Sequence, residues 1–119
     1  ITKDNLKNFA SNPLLLCTGN EIALFFEEMD NTVKLLLDVG HFKVSCKTFA
    51  QNPIEELIAI KPYIGGLHLS DNNGFADTNS TFSSQSWFIN RLPSYDYTVV
   101  EVYETNIAIL RDQLKVLSK

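Results

Sequence analysis

The chain has 119 residues, of which 45% are hydrophobic and 20% charged, a composition typical of a globular domain with its own core. Fourteen acidic residues against ten Lys and Arg give a formal net charge of −4, and no basic cluster stands out, which argues against nucleic acid as a partner. The sequence contains neither an apolar run of the roughly 18 residues that a membrane helix requires nor a secretory signal.

The two cysteines favour a reducing compartment. Cys17 and Cys46 are far apart and match no zinc or redox spacing, so we expect both to be buried, reduced thiols. Together with the absence of a membrane or export signal, this predicts a cytoplasmic protein.

A helix and a strand are the first predicted elements. Thr18-Gly19-Asn20-Glu21 has the form of a capping box. An apolar helical face follows it, formed by Ile22, Phe25, Phe26 and Met29. The strand TVKLLLDVG, which begins at Thr32, is apolar nearly throughout, and Gly40 is expected to bend the chain so that His41 returns over the strand end.

A second helix and strand follow with similar signals. Asn52 is the predicted cap, Pro53 lies in the first turn, and Glu55 is expected to reach back to the cap. YIGGLHLSD, from Tyr63, is the second strand. The segment DNNGFADTNSTFSSQ, from Asp71, has no regular periodicity and has the length of a functional loop.

A short helix, a third strand and a last helix complete the predicted order. The strand is YTVVEVYE, from Tyr97, and the last helix has an apolar stripe formed by Ile107, Leu110, Leu114 and Leu117. Strands that are apolar on both faces are typical of parallel sheets covered by helices. We therefore predict an α/β fold with parallel strands, in a single domain over residues 1–119.

Each predicted strand carries an ionisable residue near its end. Because successive side chains of a strand point to opposite sides, leucines that pack against helices leave Asp38 and His68 on the other face. The same alternation favours Glu101 over Glu104, which is expected at the start of the last helix, where its charge suits the helix dipole. The spacing, 30 residues from Asp38 to His68 and 33 from His68 to Glu101, approximates one βα unit.

Taken singly, these residues have ordinary structural explanations. Asp38 could cap a helix, and His68 could be a hydrogen-bonded core residue, whereas an unpaired buried Glu101 would be costly. Together, at equivalent ends of neighbouring strands, they predict a site for a divalent cation. Two carboxylates and an imidazole, without a thiolate, suit Mn²⁺, Mg²⁺ or Co²⁺ and leave Zn²⁺ possible.

Three motifs, LLLDVGHF, GGLHLSDNNGFADTN and YTVVEV, resemble the xylose isomerase-like TIM barrel superfamily, which includes sugar isomerases and epimerases and the endonuclease IV type of repair enzyme. The resemblance extends from about Asn12 to Leu117. It implies a partial (β/α)8 TIM barrel of three to four C-terminal βα units. A whole barrel takes about 250 residues, so the N-terminal half would be absent from this chain, and that half or self-association would complete the fold.

The resemblance also implies a set of site residues. Asp38, His68 and Glu101 would bind the metal ion, with His41 beside them as a second metal ligand or a substrate contact. A fourth ligand, a Glu, would come from the preceding strand of the missing half-barrel. Substrate-binding candidates lie on the loop and beyond it: Asp71, Asp77, Asn79 and Trp87. For Asp77 and Asn79 the alternative is a role in shaping the loop, and for Trp87 it is a buried structural role.

The function that these features predict is a metal-dependent sugar or sugar phosphate isomerase or epimerase acting through an enediolate-type intermediate. Glu101 would be one acid/base group, and His41 would orient the substrate oxygen. Two alternatives remain. An endonuclease IV-like phosphodiesterase is disfavoured by the net charge and by Asn79, which stands where the repair enzymes have a zinc-binding His. The second alternative, a catalytically silent binding or assembly module, belongs to a different functional class. This fragment alone could be inactive.

Overall fold

The computed structural model describes residues 1–9 and 11–118 of the chain. Within these ranges the elements follow in the order α1 (Lys3–Lys7), α2 (Gly19–Glu27), β1 (Leu35–Asp38), α3 (Val39–Thr48), α4 (Pro53–Ile60), a 3-10 turn (Lys61–Tyr63), β2 (Ile64–Leu69), β3 (Tyr97–Val100) and α5 (Ile107–Leu117). None of the helices in the described ranges combines the length and apolar character needed to cross a lipid bilayer.

The three strands form one parallel sheet in the order β1-β2-β3, which confirms the predicted α/β class. Asp38 pairs with His68 and His68 pairs with Val99, so these positions lie in one row across the sheet. Glu101 continues the pairing beyond β3, because its backbone N–H donates to the carbonyl of Leu69 at 2.9 Å. The carboxyl ends of all three strands therefore meet at one edge.

The helices cover one face of this sheet. Leu37, Leu67 and Leu69 point into a core built with side chains of α2, α3, α4 and the segment before β3, among them Ile22, Phe26, Phe42, Cys46, Leu57, Ile60, Phe82 and Phe88. The alternate residues of the strands lie on the opposite face, where Leu36 is 49% exposed and Tyr97 57% exposed. Strand alternation thus separates a buried face from an open one.

The predicted helix starts before α2 and α4 are confirmed. Thr18 and Glu21 form a complete capping box. The Asn52 side chain accepts a hydrogen bond from the N–H of Ile54, with Pro53 at the start of the helix. Glu55 does not reach the backbone of the cap as predicted, because its carboxylate accepts from the Asn52 side-chain amide at 3.4 Å.

Two predicted features between the strands are wrong. Gly40 does not bend the chain back over β1, because α3 begins directly at Val39 and contains both Gly40 and His41. The short helix expected before β3 does not form: residues 70–96, all of which the structure describes, consist of turns and an antiparallel bridge between Asp71 and Ser80. Loop hydrogen bonds from side chains compete with helix formation in this Asn- and Ser-rich segment.

The last helix also packs differently from the prediction. Its apolar stripe is largely exposed, with Ile107 at 65% and Leu114 at 56%, whereas Gln113 is only 5% exposed. The side-chain carbonyl of Gln113 accepts the N–H of buried Phe82 at 2.7 Å. This hydrogen bond holds Gln113 against the core beside Val116, next to an apolar cavity of about 540 Å³ that Leu114 helps to line.

Candidate functional site

Asp38, His68 and Glu101 converge at the carboxyl edge of the sheet. Each offers one donor atom, and these three atoms all lie within 4.8 Å of one another. His68 Nδ1 is 2.8 Å from Glu101 Oε2. The sheet register produces this arrangement, because Asp38 and His68 are directly paired and Glu101 lies two residues beyond the partner of His68. The convergence predicted from strand alternation is therefore present.

The cluster is accessible without being fully exposed. The side chain of Asp38 is 19% exposed, that of His68 29% and that of Glu101 42%. Partly shielded donors at a sheet edge can be reached by a small ion or molecule and are less screened than fully exposed ones. The three side chains thus form a shallow polar site open to solvent.

The donor set fits a small divalent cation. Oxygen and nitrogen donors about 2.1 Å from one ion lie roughly 3 to 4 Å apart, and the three donor atoms here are within 4.8 Å of one another. Two carboxylates and one imidazole suit Mn²⁺, Mg²⁺, Co²⁺ or Zn²⁺. These residues could hold such an ion after a small contraction of the cluster.

Asp38 has a structural contact as well. Its Oδ1 accepts the backbone N–H of His41 at 2.9 Å, which makes Asp38 the N-cap of α3. A carboxylate has acceptor capacity beyond one cap bond, so capping and ligation are compatible. The cap also holds the Asp38 side chain in one orientation at the strand end.

His41 lies beside the cluster on the first turn of α3. Its side chain is 62% exposed, and its two ring nitrogens face two carboxylates. Nε2 is 2.5 Å from Asp77 Oδ2, and Nδ1 is 3.4 Å from Asp38 Oδ2. The helix, rather than a bend at Gly40, therefore brings His41 to the site, and Asp77 of the long loop orients its ring.

Asp71, a predicted substrate contact, is engaged within the protein. Its carboxylate accepts from Lys43 Nζ at 2.7 Å, from Ser86 Oγ at 2.7 Å and from the backbone of Asn72 at 2.8 Å. Burial raises the pKa of Asp71, but these hydrogen bonds and the Lys43 charge outweigh it, and the net pKa lies below the ordinary value. Asp71 thus joins α3 to the loop and the segment beyond it.

Asn79 and Trp87 also have structural contacts. The side chain of Asn79 is 4% exposed and donates to the backbone carbonyl of Glu101 at 3.0 Å. The Trp87 ring stacks on Phe42 and meets Phe88 edge to face. These contacts agree with a role of Asn79 in shaping the loop and with a structural role of the partly buried Trp87, and substrate binding by either residue stays a prediction.

Lys43 and Asn72 are not among the predicted site residues, although both support the site. Lys43 donates to the backbone carbonyl of Asn72 as well as to Asp71. Asn72 Nδ2 donates to the carbonyl of Gly40 at 2.9 Å, and its Oδ1 accepts from Gly74. The Asn-x-Gly sequence indicates the turn, but nothing in it indicates the contact with α3.

Comparison with known proteins gives no match to a family model, to a curated protein or to a solved structure. The resemblance to the xylose isomerase-like superfamily therefore stays a hypothesis.

Proposed function

We propose that Asp38, His68 and Glu101 bind a divalent metal ion in a metal-dependent isomerase or epimerase that acts on a sugar or sugar phosphate. The observation that carries the metal site is the convergence of three donor atoms within 4.8 Å at the ends of successive parallel strands, and the sugar chemistry is what the resemblance implies. Parallel α/β proteins bind their ligands at this edge of the sheet. Two carboxylates beside an imidazole favour a hard or borderline cation over one that needs thiolates.

The bound ion would supply a Lewis acid that polarises a sugar carbonyl and stabilises negative charge on its oxygen. Glu101, whose side chain is the most exposed of the three candidate ligands, would exchange a proton with the substrate through its carboxylate. His41, whose Nε2 contacts Asp77, would hydrogen-bond a substrate hydroxyl through Nδ1, which is 3.4 Å from Asp38 Oδ2. The resemblance assigns the second acid/base group to a glutamate from another strand of the barrel.

The open face of the sheet supports the finer proposal of a partial TIM barrel. Leu36, Tyr97 and Val99 are apolar, are 49%, 57% and 36% exposed, and lie on the same face as the cluster. Inward side chains of a TIM barrel form a packed core, and the helices cover the outside. We propose that further βα units of the same barrel pack on this face and supply the fourth ligand. Light scattering over a range of concentrations tests the alternative, because self-association would raise the mass with concentration.

Metal titration tests the site. Calorimetry with Mn²⁺ should give one ion per chain, and binding should be lost in Asp38→Ala and His68→Ala. Asp112→Ala is the matched control, because Asp112 is an exposed aspartate that pairs with Lys115 away from the cluster. A folded wild-type protein that binds no Mn²⁺, Mg²⁺, Co²⁺ or Zn²⁺ would refute the metal site.

Solvent exchange tests the chemistry. In the complete barrel proposed above, with metal present, aldoses and ketoses in D₂O should gain deuterium at the carbon beside the carbonyl, and His68→Ala should abolish the gain. Metal binding without exchange on any sugar or sugar phosphate would favour the silent module. Cleavage of abasic-site DNA would favour the phosphodiesterase instead.

A further inference from the structure

One loop, which itself follows β2, contacts the chain segments that follow β1 and β3. Residues 71–80 are closed at the base by a pair of backbone hydrogen bonds between Asp71 and Ser80, both 2.8 Å long. From this loop, Asn72 donates to Gly40 in α3, Asp77 contacts His41, and Asn79 donates to Glu101 beyond β3. The loop therefore bridges the segments that carry the candidate ligands.

Asn79 makes the contacts that bear most directly on a ligand. Its Nδ2 donates to the carbonyl of Glu101 at 3.0 Å, and its own carbonyl accepts the N–H of Tyr103 at 2.8 Å. Its backbone has φ +45°, in the left-handed region that Asn adopts more readily than most residues. The backbone of Asn79 thus holds its buried side chain where Nδ2 reaches the Glu101 carbonyl.

Glu101 depends on this support because it lies past the end of β3. Strand pairing holds its N–H, which donates to Leu69 at 2.9 Å. Its carbonyl is held by Asn79 from the other side. With both peptide groups fixed, the Glu101 carboxylate stays within reach of His68. Without the amide, the chain from Glu101 to Tyr103 would lose one of its restraints.

We propose that Asn79 is a positioning residue for the metal site, acting through the backbone of Glu101 and touching neither metal nor substrate. This inference rests on the proposed metal-binding function. Ligands whose orientation is set by hydrogen bonds bind a metal ion more tightly, and loss of such a support typically costs about 10- to 100-fold in affinity. The same amide that is a poor metal ligand would therefore still contribute to metal affinity.

Two glycine substitutions provide the test. Asn79→Gly removes the amide and keeps the left-handed backbone accessible. Asn90→Gly is the matched control, because Asn90 also has a positive φ, +65°, and its side chain is exposed. Calorimetric titration with Mn²⁺ should show a Kd raised about tenfold or more in Asn79→Gly and unchanged in Asn90→Gly.

A stability control separates positioning from unfolding. Ile22→Val weakens the buried contact of α2 with the core, and titrations of all variants are made well below their melting temperatures. The proposal is supported if Asn79→Gly binds Mn²⁺ weakly while Asn90→Gly and Ile22→Val bind it as tightly as wild type. Equal affinity in Asn79→Gly and wild type, or an equal loss in Ile22→Val, would overturn it while leaving the metal site intact. A wild-type protein that binds no metal would overturn the site and this inference together.

Discussion

His68 Nδ1 lies 2.8 Å from Glu101 Oε2, although the two residues belong to different βα units. The contact follows from the register, since Val99 pairs with His68 and Glu101 lies two residues farther on the same face. A cation bound by both residues would replace their direct contact. Substitution of either residue of this pair should therefore have a direct effect on metal affinity.

Glu101→Gln should weaken Mn²⁺ binding by at least about 100-fold, because it removes a charged ligand rather than a supporting hydrogen bond. Glu104→Gln is the matched control, since the Glu104 carboxylate accepts from the N–H groups of Thr105 and Asn106. Calorimetric titration measures both. The same affinity in the two variants would exclude Glu101 from the site.

Substitution of the polar Gln113 should lower the free energy of unfolding more than substitution of the apolar Leu114. An ordinary amphipathic helix would show the reverse. Gln113→Ala leaves the buried N–H of Phe82 without its acceptor, and we expect the free energy of unfolding to fall by about 1–3 kcal/mol. Leu114→Gln changes a side chain that is 56% exposed and should cost less than about 0.5 kcal/mol. Urea denaturation compares them. A larger loss for Leu114→Gln would show that α5 packs on its apolar stripe.

Asp71 should contribute to stability in a pH-dependent way. Its folded-state pKa lies below its ordinary value of 3.8, so as the pH falls the unfolded chain takes up the proton first. The contribution is therefore complete above the ordinary pKa and is lost as the pH falls through the folded-state pKa.

Asp71→Asn should remove this contribution. The difference in unfolding free energy between wild type and variant should be constant above about pH 5 and should shrink as the pH falls below it. Denaturation curves from pH 7 to pH 2 measure that difference. A free-energy difference that stays constant from pH 7 to pH 2 would show that the contacts with Lys43 and Ser86 do not stabilise the ionised Asp71.

Cys46 should be inert in the folded protein. Burial, and then the negative charge of Glu56, raise its thiol pKa to about 12, so only about one molecule in ten thousand carries the reactive thiolate at pH 8. In a Cys17→Ser background, Ellman's reagent should leave the native protein unlabelled and react once guanidinium unfolds it. Rapid stoichiometric labelling of the native protein would show that Cys46 is accessible.

Local signals predicted the parts of the fold that depend on a few neighbouring residues. Thr18 and Asn52 cap helices as expected, because a capping bond needs only the next turn of chain. The alternation around His68 predicted which side of β2 is buried. The start of α3 was not predicted, because Asp38 is both the last residue of β1 and the N-cap of α3. No polar segment separates the strand from the helix.

By itself, the sequence determined the α/β class, three apolar strands and the face on which Asp38, His68 and Glu101 lie, because chain alternation and helix caps are local properties. Only the tertiary structure decided that Asp71 and Asn79 bond within the protein and that α5 turns Gln113 inward. Those outcomes depend on which distant backbone groups need hydrogen-bond partners once the chain is folded, and residue spacing does not contain that information.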